Sequence, residues 1–259
     1  MFYDLSLLSL ALLFLALFFA GFIDAIAGGG GLIQTPALLI TFPNENPVSV
    51  VGTSKTAAFF GTATAAIKYR RSIKTDTRLL IAMVLPAFIG SGIGALLASK
   101  ISASSFKSSI FFVMIIIFIY TWRKPELGKV QLDKYSPRML KVIGGGAAAL
   151  IGFYDGLIGP GTGTMLMIFL VAVMGFAFIG ASAIAKVVNA ATNLASIIVV
   201  GLNVGIMWKL GIALGFANLV GGYLGSHLAI NKGSGFIRTF YLIVTGLLIA
   251  RLGYSIYFQ

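Results

Sequence analysis

Long apolar runs, each about the length of a membrane-spanning helix, alternate with short polar links along most of the chain. A helix crosses the hydrocarbon layer of a membrane with about 20 mainly apolar residues. The first half supplies four such runs, at about Leu5–Ile26, Ser49–Tyr69, Arg78–Ser99 and Ser104–Trp122. The second half supplies four more, at about Lys141–Ile158, Ile179–Val200, Trp208–Ile230 and Phe236–Tyr257. The pattern predicts an all-α polytopic membrane protein.

Two shorter apolar segments, Leu32–Phe42 and Thr164–Met174, each follow a glycine-rich stretch. Glycine clustering breaks a helix, so we expect breaks at Gly28–Gly31 and Gly159–Gly163. Neither short segment crosses a bilayer alone, and each is either re-entrant or half of a broken helix. With them the chain has about ten membrane segments.

The two halves of the chain match without a gap when one is shifted by 131 positions, for example from Asp24 to Asp155. The shift also carries Lys55 onto Lys186. It carries glycines at a spacing of four onto one another, Gly90 and Gly94 onto Gly221 and Gly225. We therefore predict two homologous membrane repeats, residues 1–122 and 141–259, joined by a polar linker at residues 123–140. The spaced glycines predict close helix packing, within the chain or at a homodimer seam.

The distribution of basic residues predicts the orientation in the membrane. Residues 68–78 carry five and residues 123–141 carry six, against two in residues 99–107. The two rich links are therefore expected in the cytoplasm. If the short segments cross fully, the repeats are inverted; if they only dip into the membrane, the repeats are parallel. Asp4, and the absence of basic residues before Lys55, fit an external N-terminus and favour inverted repeats.

Composition narrows the class further. Hydrophobic residues make up 58% and charged residues 10% of the 259 positions, and the mean hydropathy is +1.00. These values lie outside the range of soluble domains. The net charge of +12 lies mainly in the short links, so topology explains it better than nucleic-acid binding. With no cysteine and one histidine, we expect no cofactor, no metal site and no catalytic residue.

Four charged residues lie within apolar runs: Asp24, Lys55, Asp155 and Lys186. Each costs about 2.5 to 3.5 kcal/mol at the centre of a membrane helix, so they indicate function or pairing. The lysines are candidates to attract an anion, and the aspartates are candidates for a structural or coupling role. The alternative is that Asp24 pairs with Lys55 and Asp155 with Lys186, or that the acids cap nearby helix amides.

The glycine breaks also predict a protected centre, because irregular backbone in a membrane needs cover from protein or a water-filled cavity. We expect the two breaks to meet there, with half-helices starting at Leu32 and Thr164 and presenting amides to an anion. The alternative is that the glycines only allow close packing. Beside the two lysines, the predicted substrate-binding residues are Gly29, Gly30, Gly31, Gln34, Thr35, Gly161, Thr162, Gly163, Thr164, Asn189 and Asn193.

Three motifs in combination resemble the sulfite exporter TauE/SafE family. They are the run Gly21–Gly31 with Pro36 after it, Gly52-Thr53-Ser54-Lys55, and the run Gly152–Gly163. The resemblance covers nearly the whole chain. It implies a permease of the bacterial inner membrane that moves small sulfur-containing anions, such as sulfite or sulfonates, generally outward.

The leading hypothesis is therefore a secondary transporter that uses alternating access at the repeat interface. Its expected partners are a small anionic substrate and the lipid bilayer, with a homodimer left open and no nucleic acid. An anion channel is an alternative that the sequence leaves open. An intramembrane enzyme or assembly factor is another, but the sequence shows no convergent nucleophile and base and no set of metal ligands.

Overall fold

A computed structural model of the protein describes residues 6–98 and 134–257, together with residues 119, 123, 128, 131 and 132. The two long described stretches are helical, with short links between the helices. The predicted span at Ser104–Trp122 lies almost wholly outside the described residues. Within the predicted linker at residues 123–140, residues 124–127, 129, 130 and 133 also lie outside the described residues.

The described part of the first repeat contributes four helices, α1 Leu7–Ala27, α2 Gly31–Thr41, α3 Pro47–Ser72 and α4 Thr77–Leu97. Polar side chains begin three of them, since Ser6, Asn46 and Asp76 each accept a hydrogen bond from a first-turn amide. Such caps satisfy amides that lack partners within the helix. The predicted break at Gly28–Gly31 ends α1 and begins α2.

The second repeat contributes α5 Pro137–Leu157, α6 Thr162–Ile168 with a π-helical turn Phe169–Val173, α7 Phe178–Asn203 and α8 Trp208–Tyr257. Gly233 interrupts α8 with a φ of 73°, so the two spans predicted there meet at a kink. The helix starts repeat at the predicted offset: positions 31, 47 and 77 plus 131 give 162, 178 and 208. Helices α3 and α7 also end 131 positions apart, at 72 and 203.

Five helices of the described part are long and apolar enough to cross a membrane: α1, α4, α5, α7 and the segment Trp208–Ile243 of α8. Helix α3 is as long as α7, at 26 residues, but is not among these five helices. Its middle carries Lys55 between hydroxyl side chains, and its last turn carries Arg70 and Arg71. A helix of this length is still long enough to cross, so its polarity indicates that neighbouring helices cover it.

Close packing between the two halves depends on the spaced glycines. A Cβ at Gly90 or Gly94 of α4 would strike carbonyl oxygens of α5, at Ala149 and Phe153. The equivalent positions of α8 behave alike, since a Cβ at Gly221 or Gly225 would strike carbonyls of α1, at Phe18 and Phe22. The predicted helix-packing role of these glycines is therefore confirmed within the chain. Helix α1 thus packs against α8, and its equivalent α5 packs against α4.

The middle helices of the two repeats cross in opposite directions. Near the start of α3, Gly52 lies against Val200 near the end of α7. Further along α3, Thr62 shares the carboxylate of Asp24 with Lys186, which lies nearer the start of α7. The positions along α7 therefore fall as those along α3 rise.

Buried apolar side chains form two clusters, one towards each end of the molecule. The smaller cluster includes Leu13 and Leu17 of α1 with Leu38 of α2. The larger includes Ile26 of α1 and Tyr69 of α3, together with much of α6 and α7. Along α1, Asp24 lies between the two clusters, whereas Lys55 of α3 lies between Val50 and Ala57 of the smaller cluster.

Candidate functional site

The two glycine breaks meet at the centre of the described molecule. A Cβ at Gly28 would overlap the backbone of Gly163 and Thr164. Gly28, Gly159 and Gly161 have φ values of 74°, 91° and 95°, in the left-handed region that favours glycine. The Tyr154 hydroxyl donates to the Pro160 carbonyl at 2.6 Å and so holds the second break in place. The expected contact between the breaks is therefore present.

A cavity lies beside this contact, with about 40 Å³ of space for the centre of a water molecule. That volume holds a few waters, since one water needs roughly 10–15 Å³ on this measure. Residues of α1, α2, α3, α5, α7 and α8 line it together with both breaks. The predicted residues on its wall are Asp24, Gly29, Gly30, Gly31, Gln34, Thr35, Lys55, Asp155, Gly161, Thr162, Gly163, Asn189 and Asn193.

The first of two ion pairs at the cavity joins Lys55 of α3 to Asp155 of α5. The Lys55 Nζ lies 2.7 Å from Asp155 Oδ2, and both side chains are buried. The other carboxylate oxygen, Oδ1, accepts a hydrogen bond of 2.7 Å from the Thr162 hydroxyl at the start of α6. Asp155 thus links α3 to the second break.

The second ion pair joins Lys186 of α7 to Asp24 of α1, with Nζ 2.9 Å from Oδ2. The Thr62 hydroxyl donates to the same oxygen at 3.5 Å. The Gly30 amide donates to Oδ1 at 3.4 Å, so Asp24 also caps the first break. The predicted capping role of the acid is therefore present alongside the ion pair.

The ion pairs cross between the repeats, which corrects the pairing suggested by the sequence. The expected alternative joined Asp24 to Lys55 and Asp155 to Lys186, each within one repeat. The structure instead joins Lys55 to Asp155 and Lys186 to Asp24. The reason is the antiparallel crossing of α3 and α7, which sets each lysine opposite the acid of the other half.

A buried polar network fixes the start of α2. The Gln34 side-chain amide donates to the Ser54 carbonyl at 3.0 Å, and the hydroxyls of Thr35 and Ser54 lie 2.8 Å apart. The Asn218 amide of α8 donates to Gln34 Oε1 at 2.8 Å and to the Leu17 carbonyl at 3.0 Å. Buried polar groups need such partners, so the network holds four helices in register.

Sequence reasoning missed Asn218, although it lines the cavity. Its signal was a lone amide in an apolar helix, at the position where the first repeat has Ala87. The network has no polar counterpart in the other half. The positions equivalent to Gln34, Thr35 and Ser54 are Met165, Leu166 and Ala185. The polar network beside the cavity is therefore confined to the α2 side.

Two predicted residues lie off the cavity wall. Thr164 and Lys186 are buried but do not line the cavity, and Lys186 reaches it only through Asp24. The amides of Leu32 and Ile33 bond to the carbonyls of Gly29 and Gly30, so fewer amides are free than the sequence suggested. The hydroxyls of Thr53, Thr56 and Thr64 donate to carbonyls of their own helix four residues back.

The polar side chains on the cavity wall suit the binding of an anion. The donors on the wall are the Lys55 ammonium and the side-chain amides of Asn189 and Asn193, which suit an acceptor-rich anion. The Thr162 hydroxyl already donates within the protein, to Asp155 and the Gly159 carbonyl. Among the described residues, no group of three histidine, cysteine or acidic side chains could hold a metal ion. The lone histidine, His227, is exposed and lies 3.1 Å from the amide nitrogen of Asn231.

Comparison with known proteins identifies relatives along almost the full chain. A protein from Sinorhizobium sp., "Probable membrane transporter protein ORF9", is 36% identical over 250 residues, covering 96% of this chain and 94% of the relative. "Probable membrane transporter protein" from Haemophilus influenzae is 35% identical, covering 97% of each. YfcA of Escherichia coli K12, also named a probable membrane transporter protein, is 33% identical, covering 96% of this chain and 91% of YfcA. No solved structure matches the chain at a significant level.

These relatives and the apolar helices identify a multi-pass protein of the bacterial cell membrane. The relatives are named as probable membrane transporters. The family model described as "Sulfite exporter TauE/SafE" matches residues 13–252. That match takes in both glycine breaks, all four charged residues of the centre and every helix start after α1. The chain belongs to the sulfite exporter TauE/SafE family.

Proposed function

We propose that the protein is a secondary transporter that exports small sulfur-containing anions, such as sulfite or organosulfonates, by alternating access at the repeat interface. The observation that carries the proposal is the Lys55 ammonium on the wall of the central cavity. A buried lysine facing a polar cavity attracts an anion and compensates for the water that the anion loses on entry.

The other donors on the wall suit an oxyanion with several acceptor oxygens. Asn189 and Asn193 offer side-chain amide donors on the same cavity wall as Lys55. The glycines of the two breaks leave room for an anion to approach the backbone, as at other helix starts. Family membership supports sulfur as the central atom, since sulfite and sulfonate groups both present oxygens around sulfur.

We also propose that the two repeats, residues 1–122 and 141–259, are inverted with respect to the membrane. The opposite directions of the equivalent helices α3 and α7 support this arrangement, because a two-fold axis between them lies across the helices. An axis in the membrane plane is typical of inverted-repeat transporters. About ten membrane segments in total follow if the segment at Ser104–Trp122 also crosses.

The same geometry supports an assignment of the links between helices to the two faces of the membrane. Leu38 of α2 clusters with Leu13 and Leu17, so α2 returns towards the start of α1. The Tyr69 hydroxyl near the end of α3 bonds to the Ala25 carbonyl near the end of α1, so the following link lies at the opposite face. We propose that this link and the linker at residues 123–140 are cytoplasmic, in keeping with their basic residues.

Alternating access would use the contact between the repeats. Both ion pairs and the meeting of the glycine breaks join one half to the other. A relative movement of the halves would therefore act on the cavity directly. Rocking of one repeat against the other around a fixed site is the general scheme for such folds.

Binding to purified protein tests the proposal. Sulfite, sulfonates, sulfate and carboxylates would be titrated against wild type, Lys55→Gln and the matched control Lys209→Gln, whose lysine is exposed on α8. We expect Lys55→Gln to weaken the preferred anion at least tenfold, about 1.4 kcal/mol, and Lys209→Gln to leave it unchanged.

A charge-balanced variant separates binding from structure. Lys55→Gln leaves Asp155 without its partner, so Lys55→Gln with Asp155→Asn removes both charges of the pair. If a folded double variant bound the preferred anion as tightly as wild type, Lys55 would have only a structural role and the proposed site would be wrong.

A further inference from the structure

The two ion pairs differ in which partner reaches the cavity. In one pair Lys55 is 6% exposed and Asp155 is 2% exposed. In the other, Lys186 is 1% exposed and Asp24 is 14% exposed. Lys55 is therefore the more exposed member of the first pair, and Asp24 is the more exposed member of the second. The repeat symmetry does not require this difference, since Asp24 and Asp155 are equivalent positions.

The difference between the two ion pairs matters for the net charge of the cavity when an anion binds. With both pairs charged, the four groups sum to zero before any anion enters. A monoanion at Lys55 adds one negative charge to a small cavity that already has two carboxylates on its wall. Charges interact strongly where little water screens them, so the added charge calls for a compensating cation.

The surroundings of Asp24 decide whether it can accept that cation as a proton. Lys186 of α7 faces it directly, and Thr62 of α3 shares its Oδ2. Lys55 and Asp155 lie on the same cavity wall. Helix α2 and helix α6 bring no charged residue, and α8 faces α1 with Asn218 and glycines. The Tyr69 hydroxyl of α3 is committed to the Ala25 carbonyl.

A proton on Asp24 has an acceptor in this setting when it sits on Oδ2. The Gly30 amide can still donate to Oδ1, which is then the carbonyl oxygen, and the Lys186 ammonium would have to turn from Oδ2 to that oxygen. The Thr62 hydroxyl lies close enough to rotate and accept the new O–H. Asp155 has less freedom, because Lys55 and Thr162 already hold its two oxygens at 2.7 Å.

We propose that Asp24 is a proton site, and that each monoanion bound at Lys55 moves together with one proton held on Asp24. The proposal rests on the proposed function as an anion carrier. Before binding, two ammonium groups balance two carboxylates. After binding, the anion adds one negative charge and the proton removes one from Asp24, so the loaded site is again neutral. Lys55 thus binds the anion while Asp24 carries the coupling ion.

The wild-type protein supplies the first test without any variant. Proteoliposomes containing a pH-sensitive dye would receive a gradient of radiolabelled sulfite or a sulfonate, with valinomycin and potassium clamping the voltage and no sodium present. We expect about one proton to move with each monoanion, in the same direction. Saturable net anion movement down its gradient with no accompanying proton, or movement that needs sodium, would overturn the proton site and leave the carrier standing.

The assignment to Asp24 is tested by the ratio of protons to anions. Asp24→Asn is expected to reduce the ratio from about one to near zero in whatever anion flux remains. The matched control Glu45→Gln, in the exposed link after α2, should keep the wild-type ratio. A ratio near one in Asp24→Asn would place the proton elsewhere and overturn the assignment. If wild type neither binds nor moves any of these anions, the proposed function itself fails.

Discussion

Removing one member of a crossed ion pair should destabilise the protein far more than removing both. At 2.7 Å and an effective dielectric of about 20, the gross attraction between Lys55 and Asp155 is about 6 kcal/mol. Most of it offsets the cost of burying two charges, so the pair itself adds little net stability. Lys55→Met leaves Asp155 buried with only the Thr162 hydroxyl, which should cost about 3–5 kcal/mol.

A double-mutant cycle measures this coupling and tests which acid belongs to which lysine. Lys55→Met combined with Asp155→Asn should recover about 2–3 kcal/mol relative to the sum of the single changes. Lys55→Met combined with Asp24→Asn should recover less than about 1 kcal/mol, since those two groups are not paired. The matched cycle on Lys186 should show the reverse preference.

The assay is equilibrium unfolding of purified protein in mixed micelles, followed by helix content across a denaturing detergent series. Each variant is compared with wild type at one protein concentration. The reasoning would be refuted if Lys55 coupled more strongly to Asp24 than to Asp155. That result would restore pairing within each repeat and contradict the crossing of α3 and α7.

Three further predictions concern packing, the polar network and topology. Gly225→Ala drives a methyl into a carbonyl of α1 and should cost about 1–3 kcal/mol in the same unfolding assay, whereas Gly146→Ala, with open space around it, should be neutral or slightly stabilising. Asn218→Leu strands the Gln34 side-chain oxygen and should cost about 1–3 kcal/mol; an unchanged midpoint would argue against the network. In this cysteine-free chain, Lys74→Cys should react with an impermeant thiol reagent only from the cytoplasmic face and Asn44→Cys only from the outside, and reaction of both from one face would exclude the topology.

The sequence predicted the helix plan well because the plan repeats. Break positions, helix starts and the packing role of Gly90 and its equivalents follow from local composition and a fixed offset. These features depend on residues close in sequence or on the gapless offset between the repeats, so no knowledge of the three-dimensional arrangement was needed.

The sequence could not predict how the halves interlock. The lysine nearest in sequence to Asp24 is Lys55, and only the antiparallel crossing of α3 and α7 brings Lys186 to that acid. The role of Asn218 was missed for the same reason. Its partners Gln34 and Leu17 lie 184 and 201 residues away along the chain. The identity of the wall residues could be predicted in large part, but not the exclusion of Thr164 and Lys186 from it.

Counterflow in proteoliposomes tests directly whether the protein carries a sulfur anion. Vesicles containing the purified protein are loaded with unlabelled sulfite or a sulfonate and diluted into a trace of the labelled anion. We expect transient, saturable accumulation of label that is lost in Lys55→Gln and retained in Lys209→Gln. Non-saturating label entry with large passive currents would indicate a channel, and no entry of any sulfur anion would contradict the proposed substrate class.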